Sequence, residues 1–161
     1  PDKPVVIARV DHRQPGMRSP EEADLVGKLV RELRVQHGIA AKEIAVLAPF
    51  RAQVRLCQSA LQRHGVPTQE EVVVDTVERM QGQEREVVLI SLAVGDPDTL
   101  SSRAAFFFST NRLNVAMSRA RTKVILVASD GAFRGLPMDP NSLRAASLFK
   151  SLFRTLPHGT C

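Results

Sequence analysis

Short, continuously apolar segments alternate along this chain with longer segments that have the periodicity of amphipathic helices. The clearest apolar segments are 87–94 and 124–128, in which almost every residue is Val, Ile, Leu or Ala. Strands that are apolar at every position are buried on both faces, as in a parallel sheet covered by helices. The alternation therefore predicts an α/β fold, with a parallel sheet and helices on both of its faces.

Turn and cap residues divide the rest of the chain into further elements, and Gly and Pro residues end most of them. The chain of 161 residues is predicted to form a single domain, residues 1–161. The remaining predicted strands are 5–10, 44–48 and 71–77, and the predicted helices are 51–63, 112–121 and 142–156, with one more after Ser19.

The clearest helix start is at Ser19-Pro20-Glu21-Glu22. Ser19 is a good N-cap, Pro20 suits the first helical position, and Glu22 stands three residues after the cap, as in a capping box. Apolar residues then recur at helical spacing as far as Leu33, and Gly38 is expected to end the helix.

The composition is that of an ordinary globular protein, with 43% hydrophobic and 24% charged residues. No segment approaches the ~18 apolar residues of a membrane span, and the first residues lack the apolar stretch of a secretion signal. Two distant cysteines and four scattered histidines show no metal-ligand spacing, so we expect no metal site and a reducing, cytoplasmic location. Because the chain does not begin with Met, we expect it to be a segment of a longer polypeptide.

The chain is basic, with a formal net charge of +5 and a pI near 9.9. Such a charge favours polyanionic partners, among them nucleic acids. The chain has no Trp and no Tyr, however, so no platform for stacking bases is evident. Charge permits a nucleic-acid partner without identifying one.

Candidate motifs follow two of the predicted strands, Pro49-Phe50 after the second and the polar turn Gln81-Gly82 after the third. Ligands of parallel α/β sheets bind beyond the carboxyl ends of the strands. We therefore expect both motifs to lie at that edge of the sheet.

Three segments, in this order, resemble motifs IV, V and VI of superfamily 1 helicases. They are Ala48-Pro-Phe-Arg-Ala-Gln53, Thr76-Val-Glu-Arg-Met-Gln-Gly-Gln-Glu84 and Arg112-Leu-Asn-Val-Ala-Met-Ser-Arg-Ala-Arg121. The resemblance extends over residues 5 to 130 and is greatest to the type B branch, which contains the nonsense-mediated-decay RNA helicase and the replication helicase–nucleases. It implies the second, C-terminal RecA-like domain of an ATP-dependent helicase, with 5′-to-3′ translocation.

The resemblance assigns a nucleotide-binding role to four residues. Arg119 matches the arginine finger, which reaches the γ-phosphate of ATP and stabilises the charge that develops during hydrolysis. Gln81, Gly82 and Glu84 match the motif V turn, where a glycine permits close approach of the backbone to phosphate and a carboxylate accepts from ribose hydroxyls. Without the motif context, an ordinary surface arginine and a polar turn explain the same residues.

The resemblance also assigns residues to a single-stranded DNA or RNA track. Thr76 matches the position whose hydroxyl and backbone hold a phosphate of the strand, and Pro49, Phe50 and Gln53 match motif IV, which helps to position the strand. A Thr in a strand and a Phe in the core are the structural alternatives for Thr76 and Phe50. Arg112 and Asn114 are expected to tie motif VI to its neighbours.

The sequence contains neither a phosphate-binding loop GxxxxGK[ST] nor an acidic magnesium-binding motif. The resemblance places both on a first, N-terminal RecA-like domain upstream, which would bind most of the ATP and Mg²⁺ and would be a partner of this chain. We therefore expect the isolated chain to be monomeric and inactive. A non-catalytic RecA-like module that binds nucleic acid or a protein is the alternative. A small-molecule enzyme fits poorly, because the chain lacks a Gly-rich dinucleotide turn and a nucleophile–base pair.

Overall fold

Five parallel strands form one sheet in the computed structural model, which describes residues 5–11, 17–66, 72–93, 95 and 115–129. The strands are β1 (Val5–Arg9), β2 (Ile44–Leu47), β3 (Val73–Asp75), β4 (Arg85–Ser91) and β5 (Ala120–Ala128). The sheet order is β1-β5-β4-β2-β3, and every neighbouring pair is parallel. The predicted parallel α/β fold is confirmed.

Two α-helices connect the first three strands. Helix α1 (Pro20–Val35) lies between β1 and β2, and helix α2 (Arg51–Arg63), with the predicted bounds, lies between β2 and β3. Short 3-10 helices cover Ala41–Glu43 and Val77–Met80, and residues 115–118 are helical. In the described part of the chain, no helix is both long and apolar enough to cross a membrane. The predicted helix 142–156 lies outside the described residues.

The first two strands each end one residue before their predicted bounds of 5–10 and 44–48, and three other elements differ more. The third strand is shorter than the predicted 71–77, because Val77 begins a 3-10 helix. The fourth begins at Arg85 and ends at Ser91, because the segment after Ser91 leaves the sheet through Ala93, which has a positive φ of 63°. The last strand begins at Ala120, so the predicted helix over 112–121 does not reach Arg121.

Both α-helices pack on one face of the sheet. Val26 and Val30 of α1 and Leu61 of α2 are fully buried there against strand residues such as Val46 and Leu89. Among the described residues, 20 form a buried cluster on this face and ten on the other, so helix–sheet packing supplies most of the apolar burial in the described part of the chain.

The opposite face of the sheet is also buried. Among the described residues, Met80 of the 3-10 helix and Ala116 of the helical segment 115–118 pack against it. The two segments that carry predicted motifs V and VI are therefore anchored in this second core. The strand residues of this core are Ile7, Ala45, Leu47, Val88, Ile90, Ala120, Val124 and Leu126.

Only one of the two hydrogen bonds of the predicted capping box forms at the start of α1. The Ser19 side chain accepts a hydrogen bond from the Glu22 backbone N–H at 3.1 Å. In the second bond of a capping box, the Glu22 side chain would accept from the Ser19 backbone N–H. Here the Gln53 amide oxygen accepts from that N–H instead, at 2.6 Å. Glu22 is fully buried and accepts from the Ser91 hydroxyl and from the Ala93 backbone N–H. A contact from a distant helix therefore replaces the local capping box.

Cys57, on helix α2, lies in the hydrophobic core, and its thiol should be unreactive in the folded protein. Its exposure is 0%, and burial, with a smaller contribution from the Glu22 charge, raises the pKa of the thiol to about 12. Since the thiolate is the nucleophile, we expect a Cys161→Ser variant, which keeps Cys57 alone, to resist iodoacetamide at pH of about 8. Labelling should become complete in denaturant, as measured by mass spectrometry. Stoichiometric labelling under native conditions would contradict the burial.

Candidate functional site

The predicted site residues lie at two opposite edges of the sheet. Pro49, Phe50 and Thr76 follow the carboxyl ends of β2 and β3, whereas Gln81 to Glu84 and Arg119 precede the amino ends of β4 and β5. β4 has seven residues and spans about 20 Å at the usual rise per residue. The expectation that Gln81-Gly82 lies at the carboxyl edge is wrong, because Val77–Met80 carries the chain back towards the amino edge.

A type II turn forms the motif V segment at the amino edge. Gln81 has φ −57° and ψ 128°, Gly82 has φ 78°, and the Gln83 backbone N–H donates to the Met80 carbonyl at 3.1 Å. A Cβ atom on Gly82 would meet no atom within 4 Å. The glycine is therefore required by the backbone conformation and not by crowding within the chain.

Arg85 joins the motif V turn to Arg119. Its backbone N–H donates to the Arg119 carbonyl at 2.9 Å, as the first bond between the two segments. Its guanidinium turns back and donates to the Glu84 carbonyl at 2.8 Å and to the Gln83 side-chain oxygen at 3.0 Å. Glu84 and Arg119 directly precede the neighbouring strands β4 and β5. These contacts therefore hold the two residues at the same edge of the sheet.

Arg119 and Arg121, the last two arginines of motif VI, have opposite environments. Arg119 makes one long side-chain bond, from Nε to the Val115 carbonyl at 3.4 Å, and its terminal nitrogens have no partner among the described residues. Arg121 donates to the carboxylates of both Glu86 and Glu43. Of the two, Arg119 has the guanidinium that is available to an external anion.

Glu84 and Gln81 are exposed, and neither side chain has a partner in the part of the chain that the structure describes. Among the described residues, the amino edge thus presents a guanidinium, a carboxylate and an amide without internal partners. A guanidinium binds phosphate oxygens, and a carboxylate accepts from sugar hydroxyls, so these groups fit one side of a nucleoside triphosphate.

The carboxyl edge presents fewer free groups. Phe50 is half-buried, packs against the second core and is the N-cap residue of α2, so the core-packing alternative describes much of its contact area. Thr76 is 9% exposed, and its backbone N–H donates to the Asp75 carboxylate at 2.8 Å. Pro49 lies half-buried between Ala48 and Phe50.

Gln53 is fully buried behind this edge and does not face solvent. Its amide nitrogen donates to the Ser19 carbonyl and to the Ser91 hydroxyl, both at 3.0 Å. The Ser91 hydroxyl in turn donates to Glu22 at 2.6 Å. Gln53 therefore connects the start of α2 to α1 and to the carboxyl end of β4, and supports the edge from inside.

Glu22 and Ser91 belong to this network although neither was predicted as a site residue. Glu22 had a local explanation as a capping-box residue, and Ser91 interrupts an apolar strand, which was the one available signal. A polar residue in a strand that is buried on both faces needs a hydrogen-bond partner. Arg112 and Asn114 lie outside the described residues. Within the described ranges, no cluster of three His, Cys, Asp or Glu residues is arranged to hold a metal ion.

The sheet, its two covered faces and the motif-bearing edges define a RecA-like α/β domain. The model of one AAA domain family, AAA_12, matches residues 7–131. The chain belongs to this family, within the type B branch of superfamily 1.

Two curated relatives carry helicase–nuclease names. The chain is 30% identical over 125 residues to the DNA replication ATP-dependent helicase/nuclease JHS1 of Arabidopsis thaliana, which covers 78% of this chain and 9% of the relative. It is 29% identical over 144 residues to the DNA replication ATP-dependent helicase/nuclease DNA2 of Mus musculus, covering 85% and 13% of the two chains. The chain spans about a tenth of the length of these relatives.

A solved structure has the same fold. It is the C-terminal domain of a possible DNA helicase from Lactobacillus plantarum WCFS1, with a TM-score of 0.53 and 16% identity. The match covers 89% of this chain and 80% of that chain. At this identity, the likeness concerns the fold.

Proposed function

We propose that this chain is the C-terminal motor domain of an ATP-dependent helicase and supplies Arg119 as the arginine finger to ATP bound on a first RecA-like domain. The observation that carries the proposal is the contrast at the amino edge: Arg121 is held by two carboxylates, whereas the terminal nitrogens of Arg119 have no partner among the described residues. A finger must reach across a cleft, and an arginine committed to internal ion pairs cannot do so.

ATP would contact this domain through three side chains of the amino edge. Arg119 would neutralise charge on the γ-phosphate, Glu84 would accept from the ribose, and Gln81 would donate from its amide. Mg²⁺ and most of the phosphate contacts belong to the first domain in this scheme, since this sequence has no phosphate-binding loop. ATP with Mg²⁺ would supply the phosphoryl-transfer chemistry. This chain would orient the nucleotide and stabilise the charge that develops on the γ-phosphate.

The single-stranded nucleic acid would bind along the carboxyl edge, at Thr76, Pro49 and Phe50. We assign Gln53 a supporting role there, because its amide is engaged with Ser19 and Ser91. Sugar–phosphate contacts of this kind suit either DNA or RNA. The helicase names of the relatives support a nucleic-acid substrate, and 5′-to-3′ movement in the cytoplasm completes the proposal.

The proposal is tested by comparing the isolated chain with the longer polypeptide that contains a phosphate-binding loop. We expect the longer protein to hydrolyse ATP with stimulation by single-stranded DNA or RNA, and the isolated 161-residue chain to hydrolyse none above background. ATP turnover by the isolated chain would contradict it, as would a parent reading frame without GxxxxGK[ST]. The latter result favours the alternative, a non-catalytic binding module.

Substitution of Gly82 separates its turn role from its site role. Gly82→Ala should cost about 1 kcal/mol of unfolding free energy, because alanine is strained at φ 78°. Gly38→Ala is the matched control, since Gly38 also has a positive φ, of 65°, and open space around it. Urea denaturation should give similar losses for both variants, while only Gly82→Ala lowers ATP turnover in the longer protein. Equal turnover of the two variants would remove Gly82 from the site.

A further inference from the structure

The pairing of β4 with β5 contains an irregularity next to Arg119. Arg85 pairs with Ala120, but the next registered pair is Val87 with Lys123. One residue of β4, Glu86, therefore faces two residues of β5, Arg121 and Thr122. This is the pattern of a β-bulge, which is rare between parallel strands and which re-aims side chains close to functional sites.

A single carboxylate holds both bulged residues. Arg121 Nε donates to one oxygen of Glu86 at 2.9 Å, and the Thr122 hydroxyl donates to the other oxygen. Arg121 also donates through a terminal nitrogen to Glu43, at the end of the 3-10 helix that leads into β2. The bulge is thus fixed from two neighbouring segments of the fold.

The bulge sets which residue of β5 stands opposite the start of β4. Continued without the extra residue, the register of Val87 with Lys123 would place Arg121 opposite Arg85, whereas Ala120 stands there. Arg119 lies on the amino-terminal side of the bulge, and its carbonyl accepts from the Arg85 backbone N–H, just before the irregularity. If the extra residue were absorbed, β5 would shift by one residue against β4, and Arg119 would lose this bond and change position.

We propose that Glu86 is a positioning residue for ATP hydrolysis, which holds the Arg121–Thr122 bulge so that Arg119 points out of the amino edge. The role of Glu86 rests on the proposed role of Arg119 as the arginine finger. In this proposal Arg121 and Thr122 help to hold the bulge, and neither residue needs to contact the nucleotide.

Exposure and charge agree with a geometric role for this cluster. The side chains of Arg121 and Glu86 are 42% and 40% exposed, and ion pairs this exposed add little to stability. The Thr122 hydroxyl, followed by the Arg121 guanidinium, holds the pKa of Glu86 below its usual range. The carboxylate therefore stays ionised, and accepts with both oxygens, throughout the neutral range.

The test is a double-mutant cycle in the longer ATPase polypeptide. Glu86→Gln keeps the shape but leaves one oxygen to accept, since an amide nitrogen cannot accept from Thr122 or Arg121. We expect kcat to fall about tenfold, because small displacements of a catalytic group cost up to ~100-fold, with unchanged KM for ATP and unchanged Tm. In an Arg119→Ala background, Glu86→Gln should lower kcat no further. Glu32→Gln, at an exposed position of α1, is the control for charge and should match wild type.

Thr122 supplies a second pair of variants. Thr122→Val removes the hydroxyl and should lower kcat, whereas Thr122→Ser keeps the hydroxyl and should restore it. Normal turnover of Glu86→Gln beside a strongly impaired Arg119→Ala would overturn the role of Glu86 alone. An equal decrease by Glu86→Gln in both backgrounds, or a decrease that follows a loss of Tm, would also overturn it. Normal turnover of Arg119→Ala itself would remove the proposed function together with this role.

Discussion

Replacing Arg119 by alanine is expected to lower kcat for ATP hydrolysis by about 1,000-fold in the longer protein, within the range observed for arginine fingers. Arg119 has one 3.4 Å side-chain bond to the Val115 carbonyl, so its removal leaves the fold almost unchanged. Affinity for ATP should stay near that of wild type, because most phosphate contacts belong to the first domain in the proposed scheme. Single-turnover hydrolysis and binding of a fluorescent nucleotide analogue measure the two quantities separately.

The controls for Arg119→Ala distinguish charge from position. Arg31→Ala removes an arginine from an exposed site on α1 and should keep normal turnover. Arg119→Lys keeps a positive charge without the planar fork and should recover only a small part of the rate. If Arg119→Ala retained near-normal kcat, Arg119 would have no catalytic role.

The second large effect is expected on stability, from Glu22→Ala in the 161-residue chain. The substitution removes the acceptor of the Ser91 hydroxyl and of the Ala93 backbone N–H. Buried donors without partners are costly, and we expect a loss of about 3 kcal/mol of unfolding free energy. Urea denaturation followed by circular dichroism measures this change.

The control for Glu22→Ala is Glu32→Ala in the same helix. Glu32 is exposed, whereas Glu22 is fully buried, so its replacement should change the unfolding free energy by less than about 0.5 kcal/mol. Equal effects of the two substitutions would mean that the buried network contributes nothing measurable to stability.

The elements that were predicted well have strong local signals. Helix α2 has its predicted bounds because Pro49 before it and Gly65 after it leave little choice, and Gly65 has the positive φ of 71° that ends a helix. The apolar segments became central strands because nothing but burial on both faces suits such a sequence.

The position of the motif V turn could not be predicted from the order of strands alone. Residues 71–77 have strand-forming composition as far as Val77, yet Val77 and Met80 find apolar contacts on the second face of the sheet. That tertiary contact bends the chain into a 3-10 helix and takes Gln81 to the opposite edge. A local pattern contains no information on which face will be available.

The network around Gln53 was hidden for a similar reason. Ser19 and Gln53 are 34 positions apart, and Glu22 and Ser91 are 69 apart. Each residue has an acceptable local explanation, as a cap or as part of a motif. Only the packing of α1 beside α2 brings them together.

The short helix Val77–Met80 has a mechanical consequence. The 3-10 helix and the turn after it connect Thr76, after the carboxyl end of β3, to Arg85 at the amino end of β4. Met80, at 0% exposure, fixes this connection to the core. Because the connection is short and fixed to the core, a displacement of Thr76 cannot be absorbed by a flexible loop. In the proposed scheme, a nucleic acid that displaces Thr76 should therefore also displace the motif V turn, which is proposed to contact the nucleotide.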